Sequence, residues 1–119
     1  MALWLTFKVP FFKEFKYETL LKMCEHLEAQ VFDQGSMLMR EGDPGDCLYI
    51  IVSGSVEVMR LRAVDSGGDN GISYEEIHMA TLGPGQCVGE NAIHHSKITR
   101  AKRSATVIAN TEQVLCLRL

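Results

Sequence analysis

Residues Val88–Val107 read V-G-E-N-A-I-H-H-S-K-I-T-R-A-K-R-S-A-T-V. A glycine and an acid open a short apolar segment. Four basic residues (Lys97, Arg100, Lys102 and Arg103) crowd the loop that follows, and small residues lead from there into a β-branched strand. These are the parts of a pocket for a sugar phosphate. Gly89 allows close backbone approach, a carboxylate accepts from hydroxyls, and a guanidinium pairs with the anion. Backbone N–H groups that come close could face the phosphate.

The elements that must position these residues are legible in outline. Apolar residues at Leu20, Leu21, Met23, Cys24 and Leu27 fall at helical spacing, which predicts a helix over Tyr17–Leu27. Before it, Pro10 excludes regular helix from Val9-Pro-Phe-Phe12, which reads as a tight apolar turn. From residue 30 onward the pattern is β-rich, with strands expected at Gln30–Phe32, Met37–Arg40, Cys47–Val52, Ser55–Leu61, Tyr74–Leu82, Ala105–Ala109 and Gln113–Leu119. Gly42-Asp-Pro-Gly-Asp46, Ser53-Gly54 and the polar stretch Asp65–Gly71 supply the turns. Short strands at even spacing imply an antiparallel sandwich or barrel with helices at its start.

Composition narrows the function classes. A chain of 119 residues makes one domain with one core. The net charge of −3 argues against a general nucleic-acid binder, so the basic cluster at 97–103 is local and suits a small anion. The four cysteines (Cys24, Cys47, Cys87 and Cys116) form no C-x-x-C pair and read as reduced, packed thiols, hence a cytoplasmic protein. The apolar start lacks a basic n-region and a cleavage site, and no run approaches a membrane span. Leu3, Trp4 and Phe7 are expected on one face of a short helix.

Four blocks in order resemble the cyclic nucleotide-binding domain family. Val9-Pro-Phe-Phe before a helix is similar to its N-terminal helical motif. Arg40-Glu-Gly-Asp-Pro-Gly-Asp-Cys-Leu-Tyr-Ile-Ile-Val-Ser-Gly54 is similar to its glycine-rich turn and the strand after it. Leu82-Gly-Pro-Gly-Gln-Cys-Val-Gly-Glu90 and Arg103-Ser-Ala-Thr-Val107 resemble the entry and exit of its phosphate-binding cassette. The resemblance spans roughly residues 9–119. It implies a mainly β fold: an eight-stranded antiparallel β-roll, jelly-roll-like, with N-terminal helices and a short cassette helix over Asn91, Ala92 and Ile93 whose free N–H groups face the phosphate. Residues 1–28 are then the helical segment and 29–119 the β-roll, with the cassette at 88–107. The helices that follow the last strand in the family and carry its lid are absent from this sequence.

The ligand implied is cAMP or cGMP, with no other cofactor and no catalysis. By resemblance Glu90 takes the ribose 2′-hydroxyl, Gly89, Asn91 and Ala92 contribute close backbone, and Arg103 clamps the phosphate. Arg100 competes with Arg103, but Ser104-Ala105-Thr106-Val107 matches the family's small-Ala-Thr-Val run only if Arg103 is the clamp. The interval from Glu90 to Arg103 is longer than in the regulatory subunits of cAMP-dependent kinase, and nucleotide-gated channels also have a longer cassette. Ser104 could do the work of the threonine that often reaches guanine in cGMP-binding members, whereas Ala80 lies where some cGMP-selective sites carry arginine. The choice of base stays open. The function expected is that of a regulatory sensor working on a kinase catalytic domain or another output domain, in the same or a partner chain. Two alternatives stand beside it. One is a degenerate domain used as a protein-interaction scaffold. The other is a cupin-like metal enzyme drawing on His94, His95 and Glu90, although adjacent histidines seldom ligate one ion and His78 lies in another strand with no partner.

Overall fold

The computed structural model describes residues 9, 12–13, 15–65, 71–89, 93–94, 97–98 and 102–119. Among the described residues, eight strands form two antiparallel sheets, and one α-helix packs on the outside of the first. The first sheet has the order β1 (Glu28–Asp33), β10 (Gln113–Arg118), β3 (Tyr49–Ser53), β6 (Cys87–Val88). The second runs β2 (Met37–Met39), β9 (Thr106–Ala109), β4 (Val56–Asp65), β5 (Ile72–Leu82). Two further short strands, β7 (Ile93–His94) and β8 (Lys97–Ile98), pair with each other in a separate hairpin. The β-roll expectation is met.

Side-chain alternation explains why the first sheet sits in the middle. In and before β3, Tyr49 and Ile51 join Phe32, Val56, Val107, Val114 and Cys116 in the core between the sheets. Leu48 and Ile50 point the other way and pack with Val9, Phe12, Leu20 and Met23. A strand buried on both faces reads as a continuous apolar run, as Cys47–Val52 does. The helix α1 (Tyr17–Cys24) closes the outer face with Leu20 and Met23, three residues apart on one side. Glu18 in its first turn and Lys22 in its last suit the helix dipole.

The helix ends at Cys24, earlier than the apolar spacing predicts. His26 N donates to Met23 O and Leu27 N to Cys24 O, so the chain tightens into turns while Leu27 still reaches the same core. Before the helix, Phe12 N donates to Val9 O at 3.1 Å and both side chains are buried, while Pro10 and Phe11 of the expected turn lie outside the described residues. Leu3, Trp4 and Phe7 lie outside the described residues.

The second sheet is built differently. β4 pairs with β9 only from Val56 to Met59, but with β5 along its full length to Asp65↔Ile72. Beyond Met59, β4 and β5 therefore continue as a two-stranded ribbon. Past Thr106, the first residue of β9, Glu41 takes over: its Oε1 accepts from Leu61 N at 2.8 Å. A bulge in the β4–β5 pairing leaves Met79 as the extra residue between His78 and Ala80. The tip of the ribbon, residues 66–70, lies outside the described residues.

Candidate functional site

The glycine-rich turn and the cassette exit are stitched together by their backbones. Gly42 N donates to Arg103 O at 2.8 Å, and Arg103 N donates to Asp43 O at 2.7 Å. Pro44 and Lys102 form an isolated antiparallel bridge beside them. One step further on, Glu41 N donates to Thr106 Oγ1 at 3.0 Å. The turn after β2 is thus pinned to the residues leading into β9. Proline at position 44 is compatible because its missing N–H is not asked to donate.

The Arg103 side chain runs inward from this junction. Its Nη2 donates to Cys47 O at 2.7 Å, and Nη1 donates to Gly89 O at 3.3 Å. Gly89 directly follows β6, whose Val88 and Cys87 pair with Tyr49 and Ile50 of β3. The glycine-rich turn, the start of β3, the end of β6 and the approach to β9 therefore converge on one guanidinium. Gly89 holds φ at 82°, in the left-handed region. The Cys47 thiol lies 3.5 Å from Nη2.

Cys47 also influences Arg118 of β10 and Tyr49 of β3 electrostatically. Hydrogen bonding to Cys47 pushes the Arg118 pKa up further, while burial raises that of the Tyr49 hydroxyl, with Cys47 adding to it. The opening of β3 is therefore a polar patch with two cations at the edge of the core. An arginine has five N–H donors in a planar fork. Two backbone carbonyls engage Nη1 and Nη2 of Arg103, so the guanidinium retains hydrogens for an anion.

Among the residues expected to bind ligand, Gly89 and Arg103 are brought together, 14 positions apart in sequence. Ser104 is exposed and Ala105 half-buried at the entry to β9. Glu90, Asn91 and Ala92 lie outside the described residues, as does the competing Arg100. The cassette-helix expectation needs a correction at its third residue. Ile93 is in β7, paired with Ile98 of β8, and β-branched residues at both paired positions favour strand over helix. For the metal alternative, His78 Nε2 lies 3.0 Å from Thr81 Oγ1 on the exposed edge strand, and Glu90 and His95 are outside the described residues.

Sequence reasoning assigned only a turn to Gly45 and only packing to Cys47, yet both touch Arg103. The signal was the glycine itself, two residues before a strand in a turn that already had Gly42.

The family model for the cyclic nucleotide-binding domain matches residues 29–119. The chain belongs to that family. The cyclic nucleotide-binding domain is a regulatory unit rather than a catalytic one. Among curated relatives, cGMP-dependent protein kinase isozyme 1 of Drosophila melanogaster is 32% identical over 93% of this chain. This chain spans only 13% of that kinase's length. Among solved structures, the regulatory domain of Toxoplasma gondii PKA with cAMP aligns with a TM-score of 0.74 at 25% identity, covering 97% of this chain and 38% of that one. The regulatory subunit of a cAMP-independent protein kinase A from Trypanosoma brucei aligns at 0.71 with 30% identity, covering 98% and 38%. Among the described residues no helix is long and apolar enough to cross a membrane.

Proposed function

We propose that this cyclic nucleotide-binding domain takes up cAMP or cGMP at the cassette and serves as the sensor of a larger signalling protein. The observation that carries this is the inward-pointing Arg103 guanidinium at the Gly89 carbonyl, beside the glycine-rich turn. In this reading Arg103 clamps the cyclic phosphate and Glu90 takes the ribose 2′-hydroxyl. The backbone of Gly89, Asn91 and Ala92 approaches the sugar phosphate, and Ser104 and Ala105 line the exit. Similarity to a cGMP-dependent kinase and to regulatory subunits of protein kinase A supports a kinase catalytic domain as the output, in this or a partner chain. Four free thiols fit a reducing, cytoplasmic setting.

Isothermal titration with cAMP and, separately, with cGMP tests the proposal. One-to-one saturable heat from either is the expected result. Arg103→Ala should weaken it roughly ten- to a hundredfold, since a hydrogen bond to a charged group is worth about 1.5–3 kcal/mol. Arg100→Ala should change it little. The reverse ranking would move the clamp to Arg100.

A second reading has a specific observation in its favour. Both Nη atoms of Arg103 already donate to this chain's own carbonyls, and a similar solved subunit is described as cAMP-independent. In that reading the domain keeps the fold as a protein-interaction scaffold, and neither nucleotide gives heat.

A further inference from the structure

The space around Arg103 is shaped by missing side chains. A methyl group on Gly45 would lie 2.5 Å from Arg103 Cζ, 2.6 Å from Nε and 2.7 Å from Nη1. A methyl group on Gly89 would lie 2.6 Å from Nη1 and 3.0 Å from Cys47 O. Two bare backbone segments thus wall the guanidinium, and the Cys47 carbonyl fixes its end at 2.7 Å.

The two glycines are not equivalent. Gly89 has φ at 82°, so any side chain there is strained whatever space it finds. Gly45 is not among the glycines with positive φ, so its backbone accepts alanine. The nearest atoms to a new Cβ at Gly45 all belong to the tip of one flexible side chain. That tip can swing aside, which spares the fold and dislodges the guanidinium.

We propose that Gly45 is a positioning residue for ligand binding: its lack of a side chain is what allows Arg103 to lie across the glycine-rich turn with its guanidinium set before the ligand arrives. This rests on the reading of Arg103 as the phosphate clamp. Pre-setting a rotamer-rich side chain spares the bound state the cost of ordering it.

The test is Gly45→Ala in the full chain, with three readouts. The Arg103 guanidinium resonances, followed by NMR without nucleotide, should shift and exchange faster with water than in wild type. Affinity for whichever cyclic nucleotide the wild type binds should fall by at least about tenfold, the scale of one charge-assisted contact. The melting temperature should stay within about 3 °C of wild type, as for a substitution that disturbs one flexible side chain. Unchanged guanidinium resonances would overturn the seat whether or not nucleotide binds. Shifted resonances with unchanged affinity would overturn the positioning role. A large fall in melting temperature alongside lost affinity would make Gly45 a folding residue instead. If the wild type binds neither nucleotide, the proposed function fails, and with it the positioning role; the resonances then still decide whether the seat exists.

Discussion

The two sheets share a core and a four-stranded antiparallel build, and they differ in how their outer faces are covered. In the first, β3 is buried on both faces because α1, Val9 and Phe12 cover the side that the second sheet does not. In the second, one face meets the core and the other stays open. Met37, Leu61, Ile72, Tyr74 and Met79 are each about half exposed or more on its strands. Its outer face carries a groove of about 180 Å³ that includes Met59, Leu61 and Ile108. The first sheet is thus the rigid half, held by apolar contact on both sides. The second is held at one end by the core and, beyond Met59, by strand pairing and the Glu41–Leu61 hydrogen bond. Arg103 sits where the two meet.

This contrast can be broken by mutation, and the largest effect belongs to the sealed sheet. Ile50 is fully buried against the helix, so Ile50→Ala should cost about 2–5 kcal/mol in denaturant unfolding. A loss below 1 kcal/mol would mean that the helix contributes little to the fold.

Next is the pH dependence of the same sheet. Burial pushes the Cys116 thiol from the ordinary 9.0 up to about 11. The folded state keeps the proton that the unfolded state releases, so the contribution is complete below pH 9 and is lost as pH rises towards 11. Unfolding free energy should therefore fall by roughly 1–2 kcal/mol across that window, and Cys116→Ala should flatten the fall. An equally steep decline in the alanine variant would assign it to another group.

At the junction, Thr106→Val removes the acceptor for Glu41 N and should cost about 1 kcal/mol, measured the same way. The smallest effect is expected on the ribbon. Arg62 and Glu75 pair across it with both side chains at least half exposed, so Arg62→Ala should change stability by under about 0.5 kcal/mol. A larger cost would show that the ribbon is tied to the body of the domain after all.

The same contrast explains what could be read from the residue string. Cys47–Val52 was legible as a strand and Ser53-Gly54 as its turn, while burial of that strand on both faces emerged only from the packing. Helical spacing through Leu27 correctly predicted packing but not the backbone, because Leu27 reaches the core from a turn. The two-residue β6 gave no pattern, since its pairing with β3 is set by tertiary contact alone. The hairpin of β7 and β8 was hidden by a motif that favoured a helix at Ile93. At the site, the residue types of the cassette were legible, and the inward course of the Arg103 side chain agrees with its reading as the clamp. The partners of its guanidinium were not legible. They are main-chain carbonyls, which every residue carries, and only the fold selects Cys47 and Gly89 among them.

Each tie that holds Arg103 crosses a long stretch of chain: 56 positions to Cys47 and 14 to Gly89. No local segment can form such an arrangement ahead of the rest, because loop-closure entropy must be met before these contacts form. The guanidinium keeps its place only where the glycine-rich turn, the start of β3 and the end of β6 are already together. A molecule that recognises the seated arginine therefore recognises the finished domain and is blind to partly folded forms. Its binding would raise the free energy of global unfolding by RT ln(1 + [L]/Kd), with slower amide exchange in both sheets together.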